Sequence, residues 1–302
     1  MSAKTQHLLI HDVDRDGWGA AALLVAQLGA GNCRLHPTVE KDGLALIDRL
    51  GPQAEHRLWL LDIPTPAKWD TPLPPAAAGM CWVDHHPAPA ANEAPDGVRL
   101  FLPKTAAPTT TMHLLVVHGL VPAVHEPMAF VRSLCVPGFE TAWTRIIDGL
   151  SAAWPSLPVA LDELAGLLAG APPGDAPPPG LLPLANAGLA RNREVDEILD
   201  RCPVERVGSA VVVRLEDARG IPLKHFNMRA RRAAGASVSL VVHDNRRIYC
   251  GRDSRGPGLD FLAHFASRGL AAKGHPYVAF VDVPKKRIEA EVEALVAALE
   301  GA

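Results

Sequence analysis

At 302 residues the chain is long enough to bury the cores of two ordinary domains. Its formal charge of -3 hides an imbalance: residues 205–302 hold 16 Lys and Arg against 11 Asp and Glu, so they are net +5 and the part before them is net -8. The cysteines Cys33, Cys81, Cys135, Cys202 and Cys250 lack the spacing of a disulfide framework or zinc knuckle, and no apolar run reaches the roughly 20 residues of a membrane span, so a soluble cytoplasmic protein with free thiols is expected.

His7 to Ile10 is a short apolar run of strand type that leads directly into Asp12-Val13-Asp14-Arg15-Asp16-Gly17. Three carboxylates at alternate positions repel one another unless a cation lies among them. The run imitates the opening of a calcium-binding EF-hand loop. However, the twelfth position, where that loop needs a bidentate Glu, is Leu23, and a strand precedes it instead of a helix. Trp18 to Leu28 is Ala- and Leu-rich and free of Pro, which predicts a helix straight after the acids. An acidic cap at the positive end of that helix accounts for one Asp and poorly for three.

Cys33 to Pro37 follows as a strand, Asp42 to Leu50 as a helix closed by Gly51-Pro52, and His56 to Ile63 as an apolar strand whose end carries Asp62. Met80 to Asp84 repeats the pattern and runs into His85 and His86. Successive strand side chains face opposite ways, so two adjacent imidazoles share a site only from a loop past the strand's end. For the His pair taken alone, a solvated surface pair is the alternative. Strands alternating with helices predict a mostly parallel sheet, and the ends of its strands line the edge where open α/β sheets bind ligands. Asp14, Asp16, Asp62 and His85 are expected to converge there. Carboxylates with imidazole suit a borderline divalent ion such as Mn2+ better than Mg2+. There are enough carboxylates for two ions bridged by a shared Asp, which is the arrangement of two-metal phosphate-ester hydrolysis by a metal-bound hydroxide.

Pro108 to Gly119 reads as an apolar helix, Val121 to Pro127 as a break, and Ala129 to Leu150 as a stretch holding the acids Glu140 and Asp148. Ser156 to Pro183, rich in Pro, Gly and Ala, predicts a linker or surface excursion, and Asn186 to Cys202 an amphipathic helix joining two domains. Strands are predicted at Val207 to Leu215, Val238 to His243 and Arg246 to Cys250, the last two joined by an Asp244-Asn245 hairpin turn. A helix at Leu259 to Ser267 and a strand at Tyr277 to Val283 close the chain. Gly251-Arg252-Asp253-Ser254 and Lys273-Gly274-His275-Pro276 offer an anion a guanidinium fork, an imidazole and glycine-bared backbone N–H groups.

In this order and spacing the motifs resemble those of the DHH phosphoesterases, which include RecJ-like single-strand exonucleases, nano-RNases, family II pyrophosphatases and exopolyphosphatases. Asp12 to Gly17 resembles the first motif in the acidic-triplet form of RecJ-like members, Asp62 the second, and Asp84-His85-His86 the third. The resemblance implies Asp14, Asp16, Asp62 and His85 as metal ligands, with Asp62 bridging, and an acid of the fourth motif as the last ligand, Asp148 in preference to Glu140. It implies catalytic roles for Asp62, His85 and His86, with His86 aimed at the substrate phosphate and Asp12 and Asp84 behind the ligands. Other branches place a His four residues before the first ligand Asp, where this chain has Ile10. The last third resembles a DHHA1 domain, which implies substrate contacts from Arg252, Ser254, Gly274 and His275, although the family's glycine-rich loop is here Ala271-Ala272-Lys273-Gly274-His275.

The expected fold is α/β: residues 1–155 as a mostly parallel sheet with flanking helices, residues 156–204 as a Pro-rich linker and connecting helix, and residues 205–302 as a smaller α/β C-terminal domain. The expected cofactor is a pair of Mn2+ ions, with Mg2+ or Co2+ as substitutes. The expected partner is a small phosphorylated substrate or short single-stranded nucleic acid, with no membrane, and a homodimer is allowed for. The expected activity is hydrolysis of phosphodiester or phosphoanhydride bonds in a short oligonucleotide, nucleotide-like diester or polyphosphate. A catalytically impaired nucleotide binder and a RecJ-like exonuclease are the alternatives.

Overall fold

In the computed structural model, strands β1 (Gln6–Asp12), β2 (Cys33–Thr38), β3 (His56–Leu61), β4 (Met80–Val83) and β5 (Val98–Phe101) form an all-parallel sheet in the order β2-β1-β3-β4-β5. The structure describes residues 6–40, 42–52, 55–66, 68–69, 73, 79–86, 94–103, 109–122, 125–135, 141–155, 157, 159–169, 178–252 and 258–301. The chain divides into two compact units, Met1–Leu189 and Ala190–Ala302.

In the first unit the strands alternate cleanly between two apolar layers. Leu9, Trp59, Leu61, Cys81 and Val83 face a core shared with helices α1 (Arg15–Leu28), α3 (Thr111–Val117), α4 (His125–Cys135), α5 (Ala142–Ala153) and α6 (Leu161–Ala169). Leu8, Ile10, Leu58, Leu60, Met80 and Trp82 face α2 (Gly43–Leu50) on the other side. A parallel sheet covered on both faces needs strands with apolar centres, and the central strands β1, β3 and β4 supply them in Leu8-Leu9-Ile10, Leu58-Trp59-Leu60-Leu61 and Met80-Cys81-Trp82-Val83. From β1 the chain crosses to β2 on one side and then to β3 on the other. The strand order therefore reverses between β1 and β3, and that crevice is where sheets of this topology bind ligands.

Gly17 makes the sharp passage from β1 into α1 possible. A Cβ there would stand 2.2 Å from the Asp12 carbonyl oxygen, so only a residue without a side chain lets the first turn of the helix lie against the end of the strand.

The second unit holds a mixed sheet in the order β10-β11-β9-β8-β7-β6, made of β6 (Val204–Val207), β7 (Ala210–Leu215), β8 (Val238–His243), β9 (Arg247–Arg252), β10 (Lys273–His275) and β11 (Val278–Asp282). Its single parallel pair is β7 with β8. Helices α9 (Phe261–Ser267) and α10 (Ile288–Glu300) cover one face. Helix α8 (Leu223–Ala234) and the end of α7 (Leu182–Leu199) cover the other. The predicted hairpin turn is present, with Asp244 and Asn245 both at positive φ (49° and 46°), as a two-residue turn of this type requires.

The stretch expected to be a linker is different in kind. Residues 161–169 form α6, which buries Leu164, Ala165 and Leu168 in the first core. The prolines flank this segment without entering it, so its apolar spacing is free to act. Residues 170–177, the heart of the Pro-rich run, lie outside the described residues. The boundary between the units falls within α7, in the predicted connecting helix. Among the described residues no helix is long and apolar enough to cross a membrane.

Gly17→Ala is expected to cost about 1–3 kcal/mol of stability, because the new methyl meets backbone that cannot give way. Chemical denaturation measures this, and an unchanged midpoint would show that the β1–α1 passage is less tight than the close approach at Asp12 implies.

Candidate metal centre

The parallel register carries three strand ends to one edge. Ile10 pairs with Leu60 and Leu61 with Val83, so Asp12, Asp62 and Asp84 follow in adjacent rows, and the Asp62 amide donates to the Val83 carbonyl at 3.0 Å. Asp62 then takes a left-handed backbone (φ 59°), a conformation that costs most residues about 1 kcal/mol and that Asp and Asn tolerate best.

Asp62 lies at the centre of the cluster. It is 1% exposed, and its Oδ1 is 3.1 Å from His85 Nε2 and 3.8 Å from His86 Nδ1. Thr111 Oγ1 donates to the same oxygen at 3.4 Å. His85 Nε2 is also 3.6 Å from Asp16 Oδ2. Three groups in this unit, Asp16-Asp62-His85, Asp12-Asp14-Asp62 and Asp62-Asp84-His86, each offer ligand atoms within 4.8 Å of one another, and Asp62 belongs to all three.

Each neighbouring acid is held by backbone. Asp14 is the N-cap of α1, its Oδ1 accepting from the amides of Asp16 and Gly17. Asp16 accepts from the amides of Thr111 (2.6 Å) and Met112 (3.0 Å) at the start of α3. Asp12 accepts from Val13 N–H at 2.8 Å. His86 Nδ1 donates to Asp84 Oδ1 at 2.6 Å, which fixes the ring beside His85, the two centroids 4.7 Å apart. Asp84 is fully buried, and its Oδ2 has no hydrogen-bond partner. Just before the acids, His11 is fully buried, its pKa pushed down to about 4 mainly by burial, and its Nδ1 donates to the Asp12 carbonyl at 2.8 Å.

This arrangement strains the charges. Burial raises the pKa of Asp62 well above the ordinary 3.8, and the neighbouring Asp14, Asp16 and Asp12 raise it further. Burial also raises Asp16, with His85 and the two α3 amides pulling the other way. Carboxylates this close need protons or cations among them. The donor set of several carboxylate oxygens with one imidazole fits a divalent cation, and the buried oxygen of Asp84 adds a further acceptor.

Not every expected site residue arrives here. Asp148 belongs to none of the three groups, because both its oxygens take the guanidinium of Arg15, at 2.9 and 2.6 Å. Its rival Glu140 lies outside the described residues, as does Ser254. Ile10 is fully buried in the α2-facing core and supplies no ligand atom. In the second unit, Arg252 ends β9 with Nε donating to the Leu259 carbonyl at 3.3 Å, and His275 stacks on Tyr277 with ring centroids 5.3 Å apart and planes 9° apart. Between them in sequence, Gly274 has φ 126°, and a Cβ there would stand 2.3 Å from the Val278 carbonyl oxygen. Thr111, the α3 amides, His11 and Arg15 contribute to the centre without being singled out by the sequence. Only Arg15, by its place between two acids, carries a local signal.

Neither a protein-family model nor a curated protein sequence matches the chain, so the likeness is one of structure. The chain resembles the pGpG-specific phosphodiesterase PggH from Vibrio cholerae, with TM-score 0.62, 13% identity, and coverage of 98% of this chain and 99% of that one. It also resembles the DHH domain of PF0399, a member of the s1p family of ribosomal proteins, with TM-score 0.59, 11% identity, and coverage of 97% and 86%. The chain has the DHH fold. RecJ from Thermus thermophilus, in complex with Mn2+, matches with TM-score 0.57 and 15% identity over 99% of this chain, which spans about half (52%) of RecJ. The DHH fold accounts for both the five-stranded parallel sheet with its flanking helices and the second, mixed-sheet unit.

Because the folded chain keeps a proton on Asp62 that the unfolded chain releases, metal-free protein is expected to lose stability as pH rises from 3.8 through the raised folded value. Asp62→Asn tolerates the left-handed backbone and carries no charge, so it should flatten that loss and abolish the stabilisation that Mn2+ gives the wild type. Thermal denaturation in chelator and in Mn2+, across a pH series that starts near 3.8 and rises, reads both effects. Equal stabilisation of both proteins by Mn2+ would rule Asp62 out as a ligand.

Proposed function

We propose that this chain is a metal-dependent phosphoesterase that hydrolyses phosphodiester or phosphoanhydride bonds in a small anionic substrate. The observation that carries this reading is the meeting of Asp16, Asp62 and His85 at the switch point of a parallel sheet, with Asp12 and Asp14 against the same Asp62. In this reading Asp14, Asp16, Asp62 and His85 would hold the divalent metal, Mn2+ suiting the mixed oxygen and nitrogen donors best, with Asp62 as the ligand common to the set. Bound there, the metal would supply positive charge for the phosphoryl oxygens and acidify water near neutral pH.

The chain's own residues supply position and proton control. The α3 amides and the α1 cap hold Asp16 and Asp14 in place before any ion arrives, which limits reorganisation at the moment of reaction. His86, oriented by Asp84, would donate to the substrate phosphate in its doubly protonated form, with Asp84 as the counter-charge on Nδ1. In the second unit, Arg252, Gly274 and His275 are proposed to take anionic groups of the substrate, and Ser254 is carried with them on sequence grounds alone.

A 5'-phosphorylated dinucleotide is the first substrate to try. The chain matches a pGpG-specific phosphodiesterase over nearly all of both chains, which supports a short substrate. Other nucleotide-like diesters and polyphosphate follow in that order.

Purified protein with Mn2+ is expected to hydrolyse the dinucleotide faster than a long single strand or polyphosphate, and Asp62→Ala to lose at least about a hundredfold in kcat. Failure to turn over any of the three with Mn2+, Mg2+ or Co2+ while nucleotide still binds would leave a binding protein in place of the enzyme.

A further inference from the structure

Arg15 stands between Asp14 and Asp16, two of the acids that would hold the metal. A guanidinium in that place carries a permanent positive charge and five N–H donors, and among the carboxylates it would take the position of the ion. The structure turns it away. Nε and Nη2 form a fork on the two oxygens of Asp148, at 2.9 and 2.6 Å, and Nη1 donates to the Leu134 carbonyl at 3.1 Å. Asp148 is on α5 and Leu134 on α4, so both anchors lie on helices other than the one that carries Arg15.

The Arg15–Asp148 pair is not needed to hold the acids themselves. Asp14 is fixed by the α1 amides and Asp16 by the amides of Thr111 and Met112, with Arg15 taking no part. Nor is it a buried bridge of structural weight: the two side chains are 29% and 35% exposed, and ion pairs within reach of water contribute little to stability. What the pair does fix is direction. The fork geometry, matched by two parallel hydrogen bonds, commits the guanidinium to one orientation.

We propose that Asp148 is a positioning residue that keeps the guanidinium of Arg15 out of the acidic cluster and so preserves the cluster's affinity for a divalent cation. This rests on the metal-centre reading above. It replaces a ligand role for Asp148 with a role exerted through Arg15. With Asp148 neutralised, the nearest acids along the chain are Asp14 and Asp16, and then Asp12. The released guanidinium neutralises them from within, and an incoming ion meets a filled, less negative site.

The test is the Mn2+ affinity of the purified full-length protein, read as free Mn2+ by electron paramagnetic resonance, for wild type, Arg15→Ala, Asp148→Asn and the double variant. Circular dichroism checks that each is folded, and Asp148→Ser replaces the Asn variant should that one fail to fold. Asp148→Asn is expected to bind Mn2+ about tenfold more weakly, the usual scale for residues that support a metal's ligands. Arg15→Ala should bind as wild type does, and the double variant should recover wild-type affinity to within about twofold. If the double variant stays as weak as Asp148→Asn, Asp148 acts on the metal directly and the proposal is overturned. An equal loss in all three variants makes the pair a tether and overturns it too, as does full affinity in Asp148→Asn. A wild-type protein that binds no Mn2+ overturns the metal-centre reading and this inference with it, and that result is distinct from the other three.

Discussion

The mutual repulsion of carboxylates at the ends of β1 and β3 is the constraint on which the first unit turns. Asp12, Asp14 and Asp62 meet within 4.8 Å, and the burial of Asp12 and Asp62 denies those two the water that would screen their charges. A chain does not assemble such a cluster by chance packing, because the charged forms of Asp62 and Asp16 work against folding until a cation or proton arrives. The surrounding structure is arranged to hold it. Asp14 is tied to the first turn of α1 and Asp16 to the first amides of α3, while the left-handed backbone of Asp62 aims its carboxylate into the group. The sheet itself is made rigid by two apolar layers, so strain at its edge does not spread inward.

The same constraint explains the two positive groups nearby. His85 lies within 3.1 Å of Asp62 and offers an imidazole that can be ligand or counter-charge, whereas Arg15, whose charge cannot be switched off, is held on Asp148. A metal centre tolerates the first kind of neighbour and is poisoned by the second. The buried Asp84 then serves a third purpose, fixing the ring of His86 through its Nδ1.

The centre is legible in the sequence to the extent that its residues end strands. Apolar runs closing in Asp12, Asp62 and Asp84 predict a shared edge because parallel strands align their C-terminal ends, and this logic needs only local pattern. The residues that hold the acids cannot be found in this way. Thr111 and Met112 act through backbone amides, which any residue carries, and their approach to Asp16 depends on how α3 packs some 95 positions further along the chain. Asp148 shows how close the pattern comes and where it stops: an acid followed by Gly on an apolar helix looks like a ligand until Arg15, 133 residues earlier, takes both its oxygens. In the fold, α6 is hidden by the prolines on either side of it. The helix α8, with its Arg231-Arg232 end, gives little signal because its apolar face is narrow, with Phe226 and Ala230 among its few buried residues.

The central claim is that these acids bind divalent metal at the switch point of the sheet. Crystals grown with Mn2+ and measured on both sides of the manganese absorption edge test it most directly. The account predicts anomalous density bounded by Asp14, Asp16, Asp62 and His85, with Asp148 still on Arg15. An edge of the sheet without anomalous density, in crystals where Mn2+ is bound elsewhere on the protein, would contradict it.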